Sequence, residues 1–216
     1  MRLTLCLAIV CSCVCLQAQQ TPTNQPKQDT SNTAIPSAPS SYKPLTPGGK
    51  LKIAAFDAVH PLRIVGAAVS AGIAQASDPY PEWGDGGEGY AKRFGAAVAD
   101  EASGHIFKGF LFPTILRTDP RYFRKGEGGA GHRIGYAVTR VFVTRTDSGH
   151  PTFNASEFLG AASSAALSTV YYPRSGSSTS DAVSRAGLGI ASDMGWNVFK
   201  EFWPDVWKKL HAKKTP

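Results

Sequence analysis

From residue 50 onwards, apolar side chains recur every three or four positions, which is the spacing of one face of an α-helix. The clearest stripe occupies every fourth residue: Phe94, Val98, Ala102, Ile106 and Phe110. A second stripe runs along the last long segment: Val183, Gly187, Ile190, Met194 and Val198. Prolines and polar residues separate these segments, so the pattern predicts a series of helices joined by loops.

Polar residues mark the starts of two predicted helices. Asn154 and Glu157 have the spacing of a capping box, and Ser180 with Asp181 favours the start of the last helix. Residues 140–146 fit two patterns, because they continue a helical stripe but also alternate as a strand would. Both a helix and a strand therefore stay open there.

Small residues crowd the predicted helices, especially over residues 66–72 and 160–166. Gly inside a helix costs about 1 kcal/mol relative to Ala, and a close approach of two helices is a common compensation. Charged residues interrupt the longest apolar stretches: Arg63, Glu157 and Asp193. We predict an all-α fold over residues 50–216, a compact helical bundle rich in Gly, Ala and Ser.

The N-terminal segment has the pattern of an export signal. Its apolar run at residues 3–16 follows one positive charge and is shorter than the about 20 residues of a membrane span. We predict a signal peptide over residues 1–18, cleaved after Ala18, and a disordered linker rich in Pro, Gln, Thr and Ser over residues 19–49. The residues before Cys13 also resemble a lipobox, so a lipoprotein acylated at Cys13 is the alternative. Both interpretations place the protein in the periplasm or at the outer membrane.

The amino-acid composition argues against several kinds of functional site. All four cysteines lie within the first fifteen residues, so cleavage after Ala18 leaves no thiol for disulfides, nucleophiles or metal ligands. The histidines show no ligand spacing, and we predict neither a metal site nor a cofactor. The net charge is +7, but export and the lack of interleaved stacking residues argue against nucleic acid as a partner.

A basic loop surrounds a glycine-rich segment ahead of a predicted helix. Gly126–Gly131 satisfies G-x-G-x-x-G, but no predicted strand precedes it, which argues against a dinucleotide site. Cations near a helix N-terminus predict an anion-binding site instead. Its residues would be Arg121, Arg124, Lys125 and Arg133. The alternative is a flexible basic surface loop.

The C-terminal segment combines aromatic and basic residues. Phe199, Trp203 and Trp207 share one helical face, and Lys208 and Lys209 follow them. Aromatic rings beside lysines on an amphipathic helix predict contact with a membrane surface. The alternative is a terminal helix that docks its aromatic side chains into the core.

Two short segments, Asp147–His150 and Ser184-Arg185, resemble motifs of the phosphatidic-acid-phosphatase superfamily, which is helical and often exported. The histidine nucleophile of that family would stand at Ala191, so the resemblance implies at most a degenerate or unrecognised phosphatase-like hydrolase. Glu101 and His105 share one predicted helix face. The site of such a hydrolase would include Glu101, His105, Ser148 and His150.

Four further segments are similar to a group of uncharacterised exported bacterial proteins: Asp119–Phe123, Thr144–Gly149, Tyr171–Pro173 and Lys200–Asp205. The resemblance implies export and a single helical domain. We therefore expect a non-catalytic envelope protein with a structural or interaction role. Its partner would be the membrane surface or another envelope component.

The intact mass of the exported chain distinguishes the two interpretations of the N-terminus. We expect a mature chain that begins at Gln19 and carries no acyl group, because Ala18 supplies the small residue that signal cleavage requires. Mass spectrometry of protein purified from the cell envelope measures this. A mass for a chain that begins at Cys13 with attached acyl groups would establish the lipoprotein instead.

Overall fold

The computed structural model describes residues 42–212, and this part of the chain is mostly helical. The predicted signal peptide and the predicted linker up to residue 41 lie outside the described residues. The helices are α1 (Pro47–Ala58), α2 (Pro61–Ser77), α3 (Gly86–His105), α4 (Phe112–Ile115), α5 (Ala130–Thr139), α6 (Ala155–Ser168) and α7 (Thr179–Ala212). A π-helical segment, Ile106–Leu111, joins α3 to α4, and 3-10 turns lie at Pro81–Trp83 and Arg174–Gly176. The predicted all-α class is confirmed.

A small antiparallel sheet accompanies the helices. Its strands are β1 (Thr118–Asp119), β2 (Val143–Thr146) and β3 (Pro151–Phe153), in the order β1-β2-β3. Thr118 pairs with Thr146, and Val143 pairs with Phe153. Two patterns fit residues 140–146, a helix and a strand. The strand is correct for Val143–Thr146, because α5 ends at Thr139 and the chain turns before Val143.

Helix starts follow the predicted caps only in part. Ser178 and Asp181 cap α7 reciprocally: Ser178 N donates to Asp181 Oδ2, and Asp181 N donates to Ser178 Oγ, each over 3.2 Å. Asn154 does precede α6, but its side chain makes no capping hydrogen bond. The Glu157 carboxylate, expected to complete that box, faces Lys108 instead.

The folded region includes residues from the segment predicted to be linker. Tyr42 donates its hydroxyl to Asp119 Oδ2 over 2.7 Å, and Thr46 Oγ1 caps α1 by accepting from Gly49 N. Lys50 is buried and pairs with Asp147 at 2.8 Å. The polar composition before residue 50 thus conceals a helix start that tertiary contacts stabilise.

The polarity of the helices is reversed relative to a typical water-soluble bundle. In the described part of the chain, the buried apolar side chains are small: Ala54, Ala58, Ala67, Ala71, Ala96, Ala137, Val141, Ala161 and Ala165. In α2 the buried positions include Arg63, while the outer face is aliphatic and between 47% and 65% exposed. That outer face consists of Leu62, Val65, Val69 and Ile73. Large exposed apolar surfaces of this kind mark sites of association with partners or membranes.

Gly160 allows α6 to approach the charged residue Lys108 closely. A Cβ atom at this position would lie 2.9 Å from the backbone nitrogen of Lys108 and closer still to its side chain. By contrast, a Cβ at Gly187 of α7 would meet no atom within 4 Å. Glycine is therefore required by packing at the first position and not at the second.

Substitution of these two glycines by alanine should change stability in opposite directions. We expect Gly160→Ala to lower the free energy of unfolding by about 1–3 kcal/mol, because α6 must move away from the π-helical segment. Gly187→Ala should raise it by about 0.5–1 kcal/mol, because alanine favours the helix. Urea denaturation followed by circular dichroism measures both, and a stabilised Gly160→Ala variant would contradict the close approach.

Candidate functional site

A cluster of buried charges lies where α2, α3, the π-helical segment, α6 and α7 meet. We call it the charge network; its members are Arg63, Glu101, His105, Lys108, Glu157 and Asp193. Arg63 donates from Nη1 to Glu101 Oε2 over 3.0 Å and from Nη2 to Asp193 Oδ1 over 3.1 Å. Lys108 pairs with the other oxygen of Asp193 and lies 3.6 Å from Glu157 Oε1. His105 Nε2 lies 3.4 Å from Glu101 Oε2.

The two carboxyl groups beside Lys108 differ in their affinity for a proton. Burial raises the pKa of Glu157 to about 7 against the attraction of Lys108, and the neighbouring Asp193 adds to the rise. Although burial also opposes ionisation of Asp193, Lys108 and Arg63 together hold its pKa well below the usual range. The pair therefore divides into an ionised Asp193 and a Glu157 that takes up a proton near neutral pH.

The π-helical segment positions Lys108 within this network. π-helical turns are rare and often occur at functional sites. Here the wider turn carries Lys108 toward Asp193 and also brings Gly109 against α1, where a Cβ would lie 3.0 Å from Ala54 Cβ. Lys108 thus forms an ion pair, while the neighbouring Gly109 allows the π-helical segment to approach α1 closely.

The basic loop surrounds a carboxylate that belongs to the chain itself. Glu201 of α7 is fully buried and accepts from Gly126 N over 2.8 Å, Lys125 N over 3.0 Å, Tyr122 Oη over 2.8 Å and Arg133 Nε over 2.8 Å. Burial alone would raise the pKa of Glu201, but these donors lower it. The loop therefore binds an anionic group, as a basic nest does, and that group is a side chain.

The structure separates the four residues of the predicted anion site into three environments. Arg124 and Arg133 both contact Asp205, at 2.6 and 2.8 Å. Arg121 pairs with the buried Asp119 at 2.6 Å, and Lys125 Nζ lies 3.1 Å from His132 Nε2. An external anion at these residues stays a prediction, and it would compete with Asp119, Glu201 and Asp205.

Rings of α7, together with two rings at the junction of α1 and α2, form a continuous row, which we call the aromatic ridge: Phe56, His60, Trp196, Phe199, Trp203, Trp207 and His211. Consecutive ring centroids lie between 4.0 and 6.1 Å apart. Phe199 is half-buried, while Trp203 and Trp207 are 42% and 52% exposed. Docking into the core therefore does not describe the outer end of this ridge. Lys208 and Lys209, which directly follow Trp207, are exposed.

The residues of the predicted hydrolase site lie in two separate places. Glu101 and His105 belong to the charge network, whereas Ser148 and His150 lie in the turn between β2 and β3. Ser148 Oγ shares a 2.8 Å hydrogen bond with Thr146 Oγ1. Within residues 42–212, no hydrogen bond or ion pair joins the turn to either member of the network.

A cavity of about 110 Å³ adjoins the charge network. It lies between α1, the π-helical segment, the sheet and α7, and the network lines one side through Arg63, Lys108 and Asp193. Tyr122, Tyr136 and Arg140 line another side, and Lys200 of α7 contributes to the wall. Polar and charged side chains thus line much of a partly open cavity, which is a common setting for a ligand.

Sequence patterns missed most of the charge network. No pattern marks Lys108, and Arg63, Glu157 and Asp193 stand out as charges that interrupt apolar stretches, Glu157 also as a predicted capping residue. That interruption is the available signal, since a charge inside an apolar helix face needs a partner when buried. A second missed cluster joins Asp100 to Tyr171 and to Tyr172, the latter over 2.8 Å.

The protonation of Glu157 predicts a specific pH dependence of stability. Its pKa is higher in the folded chain, about 7, than the ordinary value of 4.5, so the unfolded chain loses this proton first. The contribution of Glu157 to the free energy of unfolding is therefore fully present below about pH 4.5 and is lost as the pH rises through 7. Urea titrations from pH 4.5 to 7.5 should show a fall of about 1–3 kcal/mol from this group.

Glu157→Gln should remove that fall, because glutamine does not titrate. Glu127→Gln, at an exposed position of the glycine-rich loop, is the matched control and should keep the slope of the wild type. Equal slopes in all three proteins would contradict the raised pKa of Glu157.

Within residues 42–212, no group of three or more His, Cys, Asp or Glu side chains is arranged to hold a metal ion. In the same range, no single helix has the length and apolarity to cross a membrane, while the bent pair α1 and α2 meets both criteria together. No family model, curated protein or solved structure matches the chain. Support for a function therefore comes from the residues of the chain itself.

Proposed function

We propose that this chain is a non-catalytic protein of the bacterial envelope, exported to the periplasmic side, which contacts the membrane surface through the end of α7. The observation that carries the proposal is the exposed end of the aromatic ridge beside two lysines. It combines apolar area with positive charge on one short stretch of helix. Anionic lipid is the partner that this combination fits.

The end of α7 presents apolar side chains that are about half exposed. Trp203 and Trp207 are 42% and 52% exposed, and Val206 and Leu210 are 44% and 61% exposed. All four lie within two turns of the helix, so they form one patch. Indole rings favour the headgroup level of a bilayer, because they combine an apolar body with a polar N–H.

Positive charge borders this patch. Lys208 and Lys209 are exposed, and neither makes a hydrogen bond or an ion pair within residues 42–212. Their ammonium groups can therefore meet lipid phosphates while the rings insert. Near an anionic surface each lysine contributes about 1 kcal/mol to binding.

The remaining exterior supports the same environment. The aliphatic face of α2 is exposed, as are Phe56 and Val59 at the junction of α1 and α2. His60 connects this junction to the aromatic ridge, since its ring lies 5.1 Å from that of Trp196. An apolar surface of this kind is less costly beside lipid than in water.

A structural rather than a catalytic role is supported by the partners of the buried charges. Arg63 and Lys108 both pair with Asp193, and the Glu201 carboxylate accepts hydrogen bonds from the basic loop. Charges that neutralise one another in this way stabilise a particular helix arrangement.

Vesicle binding tests the membrane contact. The processed chain should co-sediment with phosphatidylglycerol vesicles and bind phosphatidylcholine vesicles much more weakly. Lys208→Gln/Lys209→Gln should weaken binding to the anionic vesicles by about 2 kcal/mol, or roughly thirtyfold. Trp203→Ala/Trp207→Ala should weaken binding to both kinds of vesicle, because it removes apolar area.

Two matched double variants serve as controls. Lys43→Gln/Lys92→Gln removes two exposed charges outside α7, and Ile115→Ala/Val170→Ala removes two exposed apolar side chains outside α7. Both should bind like the wild type. The proposal would be overturned if the processed chain did not bind anionic vesicles, or if the α7 variants bound them like these controls.

A further inference from the structure

The cavity beside the charge network is lined by residues that carry buried N–H groups without an acceptor. Three buried N–H groups of its lining residues have no acceptor within residues 42–212: Arg63 Nε, Arg140 Nε and Trp196 Nε1. Leaving a buried donor unpaired costs about 1–3 kcal/mol, so such groups usually have a partner. Three of them around one cavity point to a ligand that accepts hydrogen bonds.

Lys200 adds a positive charge to the same cavity. It follows Trp196 by one turn of α7, and its Nζ lies 5.4 Å from the centroid of the Tyr122 ring. Within the described residues it makes neither a hydrogen bond nor an ion pair. Burial lowers the pKa of Lys200, and the charge of Asp57, which also lines the cavity, opposes this shift.

The other charges of the lining are paired within the chain. Arg63 and Lys108 share Asp193, and Arg121 pairs with Asp119. Arg140 forms no ion pair with a carboxylate in residues 42–212; its guanidinium lies 4.5 Å from the Tyr136 ring centroid. Lys200 and Arg140 thus bring two positive charges to the cavity, where the lining also has the carboxylate of Asp57 and the carboxyl group of Glu157, 3.6 Å from Lys108.

We propose that this cavity binds a small oxyanion, a phosphate or carboxylate group, between Lys200 and Arg140, with Trp196 Nε1 as a neutral donor. The size agrees with this class of ligand. Liquid water occupies about 30 Å³ per molecule, and the cavity of about 110 Å³ has room for one such anion or a few waters. Arg121, whose side chain is 32% exposed, also lines the cavity.

The same fold already builds an oxyanion site next to this cavity. The Glu201 carboxylate accepts from Tyr122, from Arg133 and from two backbone amides. Tyr122 lies between the two sites, since its hydroxyl donates to Glu201 while its ring faces Lys200. A guanidinium group and neutral N–H groups are thus donors in both places.

Thermal unfolding of the processed full-length chain tests the proposal. Inorganic phosphate and acetate are titrated separately, each against sodium chloride at the same ionic strength. We expect the Tm of the wild type to rise in a saturable way with at least one of them, because binding to the folded state raises stability. The comparison of the two probes shows whether phosphate or carboxylate is preferred.

Variants of the two cations locate the site. Lys200→Met and Arg140→Met should each weaken the apparent affinity about tenfold or more, since each removes a charge-assisted hydrogen bond. Arg140→Lys should recover part of the affinity, because it keeps the charge but loses the planar fork. Lys92→Met, on the exposed side of α3, is the control and should respond like the wild type. Circular dichroism establishes that each variant is folded.

The variant Trp203→Ala/Trp207→Ala separates this inference from the membrane contact proposed above. It should bind vesicles more weakly and keep the response to the anion. Equal Tm values of the wild type in phosphate, acetate and chloride would overturn the cavity proposal. A wild-type response in both Lys200→Met and Arg140→Met would overturn it as well.

Discussion

Asp193 is the point at which the helices of this chain are joined. One carboxylate oxygen accepts from Arg63 of α2, and the other meets Lys108 of the π-helical segment. These contacts are buried, so the removal of any one partner would leave an uncompensated charge in the interior. The positions of α2, α7 and the π-helical segment therefore depend on one another. Gly160 extends this dependence to α6, because only a glycine lets that helix approach Lys108.

A core built around charges has a consequence for the exterior. Alanines and other small residues fill the buried positions between the helices, so the larger aliphatic side chains lie on the outside. In water such a surface favours association, whereas next to lipid it is at lower cost. The buried ion pairs and the exposed apolar face of α2 are thus two sides of the same arrangement. Specific pairing of charges can select one helix arrangement, whereas alanine contacts alone discriminate poorly between arrangements.

The sequence predicted the helices far better than the faces by which they pack. Apolar stripes located α3 and α7, and Asp181 marked the start of α7 within two residues. The assumption that an apolar stripe faces the core fails at Val183, which lies at the start of the α7 stripe and is exposed. Periodicity shows that a helix has two faces, but which one is buried depends on the neighbouring helices.

The site residues illustrate the same limit. Glu157 has the spacing of a capping residue, yet Lys108, distant in sequence, draws its carboxyl group into the interior. The basic loop was predicted to bind an anion, but its partner Glu201 lies about 75 residues further along the chain. Local patterns identify the chemical character of a side chain. Its partner is decided by tertiary contacts that one sequence does not display.

The length of α7 gives its anchors a mechanical meaning. The helix has 34 residues and extends about 50 Å, and it is held at Arg185, Asp193 and Glu201. Leu210 lies about 14 Å along the axis beyond Glu201. That outer portion acts as a lever arm: a small tilt at Glu201 becomes a larger displacement at its tip. Load applied at the tip would reach the interior first through the ion pairs of Asp205 with Arg124 and Arg133, and then through the four donors that bind the Glu201 carboxylate.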